Sequence, residues 1–175
     1  RCITHIIKNL DLPSFKSDTE IVLRGELIIS KKNYQENGSN YNNNRGMVNG
    51  LVSLKENNPI QKNLDFVVFE VIEPKLVPLE QFKLIKKLGF KIPLLEYHSF
   101  GDVINWESDQ SSFCMNKLKD YKKRSEYEMD GIIISHNEYY ERIKGNPKNS
   151  IAFKCNRLGL VTTVQDIIWT VSKYN

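Results

Sequence analysis

Apolar and polar positions alternate clearly in two stretches of the chain. Residues 20–30 (Glu-Ile-Val-Leu-Arg-Gly-Glu-Leu-Ile-Ile-Ser) predict a β-strand interrupted at Gly25. Residues 64–73 (Leu-Asp-Phe-Val-Val-Phe-Glu-Val-Ile-Glu) predict a second strand, stopped by Pro74 and Pro78. Leu79, Phe82, Ile85 and Leu88 then recur at helical spacing, and Gly89 ends that helix. Further strands are expected within Phe90–Tyr97, over Asp130–Ser135 and over Ser150–Cys155, with an amphipathic helix across 109–124 that ends in Lys122-Lys123-Arg124. Residues 33–58 are rich in Asn and Gly and read as loop, with a short helix from Arg45 to Leu54. From Gly159 the pattern changes: Val161, Thr163, Gln165, Ile167 and Trp169 interleave with Thr162, Val164, Asp166 and Ile168, as in one long strand.

The alternation of strands and helices fits a parallel sheet as well as an antiparallel one. No Gly-x-Gly-x-x-Gly or Gly-x-x-x-x-Gly-Lys segment is present, so a doubly wound nucleotide fold is not indicated. An antiparallel α+β arrangement is the expectation. A boundary is placed near Asn156–Leu158, dividing residues 1–156 from 157–175. Arg1 stands where a full-length chain would carry Met, so a piece of a longer polypeptide is expected.

Composition narrows the class. The chain has 175 residues, 40% hydrophobic and 26% charged, as in soluble globular domains. No apolar run approaches a membrane span, and the N-terminus has no signal-peptide pattern. Cys2, Cys114 and Cys155 lack any Cys-x-x-Cys spacing, which suits a reducing compartment. A net charge of +4 permits contact with a phosphate backbone without demanding it.

Four segments carry candidate chemistry: Arg24-Gly25-Glu26, Asn44-Arg45-Gly46 running to Asn49-Gly50, Met129-Asp130-Gly131-Ile132-Ile133-Ile134, and Ser150-Ile151-Ala152-Phe153-Lys154. Gly25 inside a strand suits close approach of a ligand, and Glu26 beside it could accept bonds from ribose hydroxyls. The bland alternative is a solvent-facing Arg24/Glu26 pair. Arg45 in a Gly/Asn loop suits bidentate phosphate contact, or is simply a solvated loop arginine. Asp130 at the mouth of an apolar strand suits a metal-bound water or a general base; it equally fits an ordinary Asp-Gly turn. Lys154, fixed by apolar neighbours, would stabilise charge developing on a phosphate, unless it faces outward as a plain strand lysine.

The order of these segments resembles the adenylation (nucleotidyltransferase) domain of the NAD-dependent DNA ligases over nearly the whole chain. The resemblance implies an antiparallel-sheet nucleotidyltransferase fold, followed at 157–175 by the first strand of an OB-fold domain. It implies that Glu26 contacts the nucleotide sugar, that Asp130 lies near AMP and the metal, and that Lys154 and Arg45 bind AMP phosphate or the nick. Phe66, Val68 and Phe69 fall in the strand that packs at the adenine, where plain core packing is the alternative. The arginine upstream of the Asp-Gly motif falls on Lys122 or, with a small shift, on Arg124, which is preferred.

The chain departs from the family at four places, one of them Cys155-Asn156, where the family has a Phe-Pro pair after its Ala-aromatic-Lys. No Lys-x-Asp-Gly motif, the family's source of the reactive lysine, occurs in it. Ser53 stands for a second arginine, with Lys55 nearby, and Ser135 stands for a lysine after the apolar run. Ile3-Thr4 resembles the segment just downstream of Lys-x-Asp-Gly, so the chain is expected to begin after it. The implied chemistry is attack of that lysine on NAD, transfer of AMP to the 5′-phosphate of a nick, and sealing by the 3′-hydroxyl. Implied cofactors are NAD and Mg²⁺, with no protein ligand set for the metal assigned. The implied partner is nicked duplex DNA. The expected protein is monomeric, does not engage a membrane, is not secreted, and acts in the cytoplasm, at the nucleoid or in a viral replication compartment. Two other readings stay open: a non-catalytic nucleotide- or DNA-binding remnant, and an ATP-dependent polynucleotide ligase or capping-type nucleotidyltransferase.

Overall fold

In the computed structural model, which describes residues 4–99, 110–141, 143, 145, 147–154 and 163–169, strand β1 (Val22–Ile29) runs antiparallel to β2 (Leu64–Glu73). The pairing has irregularities between Val22 and Leu23 and between Arg24 and Gly25. A Cβ added at Gly25 would sit 2.5 Å from the Val67 carbonyl oxygen and 2.7 Å from the Phe66 ring. Gly25 therefore makes room for its own sheet: the atoms that crowd it belong to the neighbouring strand, where the sequence suggested a ligand.

Helix α1 (Thr4–Ile7) precedes β1 and buries Ile6. Helix α2 (Lys31–Asn37) follows β1 at once. The sequence reading had loop over most of it. The missed signal is Ser30, whose hydroxyl oxygen accepts a hydrogen bond from the Asn33 N–H at 3.1 Å and so satisfies a donor at the helix start. Helix α3 (Asn44–Ser53) begins the same way, with Asn43 Oδ1 accepting from the Gly46 N–H at 2.8 Å. Its inner face carries Met47, Val48 and Leu51, which pack with Ile29 and Leu64 where β1 and β2 meet. A short 3₁₀ turn (Pro59–Asn63) leads into β2.

Gln61, in that turn, is fully buried, and every polar group of its side chain is used. Its Nε2 donates to the Leu51 carbonyl at 2.9 Å, and its Oε1 accepts from Asn9 Nδ2 at 2.7 Å and from the Asn58 N–H at 3.2 Å. The residue thus ties α1's exit, α3 and the turn together. Gln61→Leu would keep the volume but strand these three partners, so we expect a loss of about 2–3 kcal/mol in urea unfolding; an unchanged midpoint would refute the tie.

Helix α4 (Pro78–Lys87) starts with Pro at its first position, where the missing N–H costs nothing. Its buried Ile85 packs on Val68 and Val71, with Phe66, Phe82 and Phe90 around them. Gly89, at φ 86°, ends the helix in the left-handed region as its sequence position predicts. Beyond it the strand expected within Phe90–Tyr97 shrinks to one parallel bridge, Lys91 to Val67. Pro93 has no N–H with which to extend a ladder.

Helix α5 (Gln110–Arg124) leads to the hairpin of β3 (Gly131–Ser135) and β4 (Ser150–Lys154), which pair antiparallel with Gly131 opposite Lys154 and Ser135 opposite Ser150. The architecture is mixed α and β with two small antiparallel sheets, as expected. The long strand expected from Gly159 is not formed over 163–169: among the described residues no ladder partner faces this segment, and Ile168 and Trp169 are 86% and 87% exposed. The boundary near Asn156–Leu158, Cys2 and Cys155 lie outside the described residues. No helix among the described residues is long and apolar enough to cross a membrane.

Candidate functional site

Four hydrogen bonds between residues far apart in sequence fix the entry to β3. The Lys31 N–H donates to the Glu126 carbonyl at 2.8 Å. The Lys31 ammonium donates to the carbonyls of Lys122 and Ser125, each at 2.9 Å. The Tyr127 hydroxyl donates to Asp65 Oδ2 at 2.9 Å, while Asp65 Oδ1 accepts from Lys91 at 2.6 Å. Burial and the Asp65 carboxylate both push the Tyr127 phenol well up, so it stays a donor. The segment before Asp130 is thereby held against β2 and α2.

Asp130 and Lys154 meet at the open end of the hairpin. Lys154 Nζ donates to Asp130 Oδ2 at 2.9 Å. Both side chains are open to solvent, at 62% for Lys154 and 80% for Asp130. The bond from Lys154 holds the Asp130 carboxyl below its usual range, and Arg45 adds a smaller pull in the same direction. The structure therefore brings two of the sequence candidates, Asp130 and Lys154, into direct contact, and the charge of Arg45, from the start of α3, bears weakly on Asp130. Gly131 is part of the arrangement, because a Cβ there would lie 2.5 Å from the Phe153 carbonyl oxygen and 2.9 Å from Lys154 Cγ. The glycine lets β4 press against β3 where Lys154 emerges.

The remaining candidates sit as follows. Glu26 is exposed on β1, opposite Val67. Its neighbour Arg24 reaches across the ladder to Glu70 at 3.4 Å, so the paired-strand alternative for Arg24/Glu26 places Arg24 with a different carboxylate. Arg124 is engaged elsewhere, with Asp120 at 2.9 Å and Glu96 at 3.1 Å. Ser135 bonds hydroxyl to hydroxyl with Ser150 at 2.8 Å. Of the aromatic strand, Val68 is fully buried, Phe66 packs edge-on to Phe90, and Phe69 is 43% exposed. Val68 and Phe66 are thus core, as the packing alternative has it. Among the described residues no three His, Cys, Asp or Glu side chains cluster as a metal site would need. Cys114 is buried, which pushes its thiol up and makes it inert.

The sequence reading missed the knot around Glu96. This carboxylate accepts from Lys117 at 2.6 Å and Arg124 at 3.1 Å, and lies 3.4 Å from His98. The Lys117 bond, helped by Arg124 and His98, lowers its carboxyl from 4.5 to about 2. A group depressed on folding adds stability that is complete above its unfolded value and is lost as pH falls toward its folded value. Wild type is therefore expected to lose stability between about pH 4.5 and 2 in part through Glu96. Glu96→Gln should flatten that part of the curve in acid titrations of unfolding; an unaltered acid limb would show that the knot does not hold in solution. No local signal announces Glu96, since its closest partners, Lys117 and Arg124, lie on α5.

No protein-family model matches the chain. Individual relatives do. The chain is 36% identical to a protein named DNA ligase from Acanthamoeba polyphaga mimivirus, over 98% of this chain and 27% of that protein. It is 27% identical to the DNA ligase of Borrelia recurrentis, over 95% of this chain and 26% of the relative. The DNA ligase of Borrelia duttonii gives 26% identity over 95% of this chain and 26% of the relative. The chain thus spans about a quarter of the length of the curated relatives it matches. Its strands, its Asp130–Lys154 pair and its Arg45 all fall within the matched length, and by sequence the chain is a homologue of that one segment of the proteins named DNA ligase.

Proposed function

We propose that the protein carrying this chain is a DNA ligase that takes its adenylyl group from NAD, and that this chain forms most of the nucleotide pocket. The observation that carries the reading is the Lys154–Asp130 pair, in a chain homologous to DNA ligases throughout. The nucleotidyltransferase fold, and the OB-fold following it, belong to the same proposal. The preference for NAD over ATP rests on the Asn44-Arg45-Gly46 to Gly50 segment and on the Thr162-Thr163-Val164 and Ile167-Ile168-Trp169 sequence.

In this reading Lys154 and Arg45 hold phosphate. An exposed ammonium and an exposed guanidinium suit an anion that arrives from solvent. Glu26 accepts from the ribose hydroxyls, and Arg124 helps to bind the nucleotide once released from its carboxylates. NAD, when bound, supplies the adenylyl group to a lysine that this sequence does not include. Mg²⁺ fits one or two carboxylates supplemented by substrate phosphates better than a full protein cage, and Asp130, exposed and kept ionised by Lys154, is the residue to hold it. The metal would offset phosphate charge. Asp130 also orients Lys154 until phosphate replaces it as the partner. Nicked duplex DNA is the substrate, and a monomer working inside the cell or a viral replication compartment is the matching setting.

A second reading, a non-catalytic binding remnant, is favoured by Ser135, whose hydroxyl is spent on Ser150 where the family has a lysine. Intact mass separates the two. The complete polypeptide is incubated with NAD and Mg²⁺, and separately with ATP and Mg²⁺. A gain of one AMP with NAD alone supports the proposal. A gain with ATP alone moves the protein to the ATP-dependent ligases or capping-type enzymes. No gain with either, from folded protein, leaves the remnant.

A further inference from the structure

Helix α5 concentrates the chain's basic charge. Residues 117–124 hold Lys117, Lys119, Lys122, Lys123 and Arg124 against Asp120 alone. On the helix these cations fall on two flanks. Cys114 and Leu118 mark the buried stripe. Lys117 and Arg124 project to one side of it, where Glu96 and Asp120 neutralise them. Lys119, Lys122 and Lys123, spaced i, i+3 and i+4, share the other side. Among the described residues no carboxylate lies within ion-pair distance of these three, and Lys119 and Lys123 are exposed.

Cations in a last helical turn are often explained by the helix's own negative end. That need is already met here. Lys31, from α2, delivers its ammonium to the carbonyls of Lys122 and Ser125. The three lysines therefore add positive charge to an end that already holds one cation, which is a cost the fold alone does not explain.

We propose that the Lys119–Lys122–Lys123 flank of α5 is a docking strip for the phosphate backbone of duplex DNA beside the nick. The inference rests on the ligase reading and adds a surface to it. Its position supports it: five residues lie between Arg124, the end of the same helix, and Asp130, and α5 touches β3. Its spacing does too, since Lys119 and Lys123 are about 6 Å apart along the helix axis, close to two nucleotide steps of about 3.4 Å on one strand. Duplex DNA is the occupant favoured by charge complementarity, as an ammonium is a point charge that contacts backbone without reading sequence.

The test uses the complete polypeptide and a fluorescein-labelled nicked duplex, with anisotropy followed over a salt titration. Lys119→Gln/Lys123→Gln is expected to weaken binding and to reduce the slope of log K against log salt by about 2. Lys119→Arg/Lys123→Arg should restore the slope, and Lys86→Gln/Lys87→Gln on α4 should leave it as in wild type. The Gln pair should still take up one AMP from NAD, a step that needs no DNA, which shows that it is folded. A Gln pair with the wild-type slope overturns the strip and leaves the ligase reading intact. A slope not restored by Arg also overturns it. Wild type that takes up no AMP and binds no nicked duplex overturns both.

Discussion

Lys154→Ala should slow uptake of AMP by the complete polypeptide by about 100- to 1,000-fold, while its Tm stays within about 3 °C of wild type. The two halves of this expectation come from one measurement of exposure. An ion pair between side chains 62% and 80% exposed is screened by water and contributes little to folding. Removing it leaves strand β4 and its ladder with β3 in place. Phosphate brings more charge than Asp130, and its arrival would strip water from the ammonium, so the same group is worth more to a bound nucleotide than to the empty fold. Single-turnover AMP uptake, read by intact mass beside thermal unfolding, checks both halves. Lys154→Arg keeps the charge but replaces a compact ammonium with a planar fork, so partial activity is expected. Near-normal uptake in Lys154→Ala would remove Lys154 from the site. A large fall in Tm with lost activity would make it a structural residue.

Much of this geometry was legible because it is built from strands with a strong local signature. Leu64–Glu73, Gly131–Ser135 and Ser150–Lys154 follow the expected bounds to within a residue. Once β3 and β4 are known to pair, the meeting of Asp130 and Lys154, 24 residues apart, follows from register. What stayed hidden depends on tertiary partners. Lys31 reaches α5 across 91 residues and Tyr127 reaches Asp65 across 62, and neither carries a local pattern. Arg124 illustrates the same limit from the other side. Its place upstream of Asp130 predicts a nucleotide contact, but the structure gives its guanidinium to Glu96 and Asp120. At Gly25 the glycine suggested a ligand's approach, and the atoms that crowd it are those of Phe66 and Val67 in the paired strand.

Gly131→Ala tests whether close strand pairing is what aims Lys154. The added Cβ would fall 2.5 Å from the Phe153 carbonyl oxygen, a backbone atom that cannot rotate away. It would also press on Lys154 Cγ at 2.9 Å, so the side chain must leave its present path. Strands β3 and β4 then have to separate at the end where Asp130 and Lys154 meet. Overpacking of this kind costs about 1–3 kcal/mol. The hairpin is two-stranded among the described residues, with Ile133 and Ile151 at 75% and 71% exposure, so its reserve is small and that cost is comparable to it. We expect amide exchange to quicken across Ile132–Ser135 and Ile151–Phe153 while the Val68 and Leu51 amides stay protected, and AMP uptake to fall by about 100-fold or more. Ser150→Ala, at the far end of the same ladder, loses one exposed hydroxyl contact and should do neither. If Gly131→Ala kept both its exchange protection and its AMP uptake, Lys154 would have to be positioned by something other than the ladder. If protection fell but uptake did not, the pair at the hairpin's open end would be a surface contact with no part in holding the nucleotide.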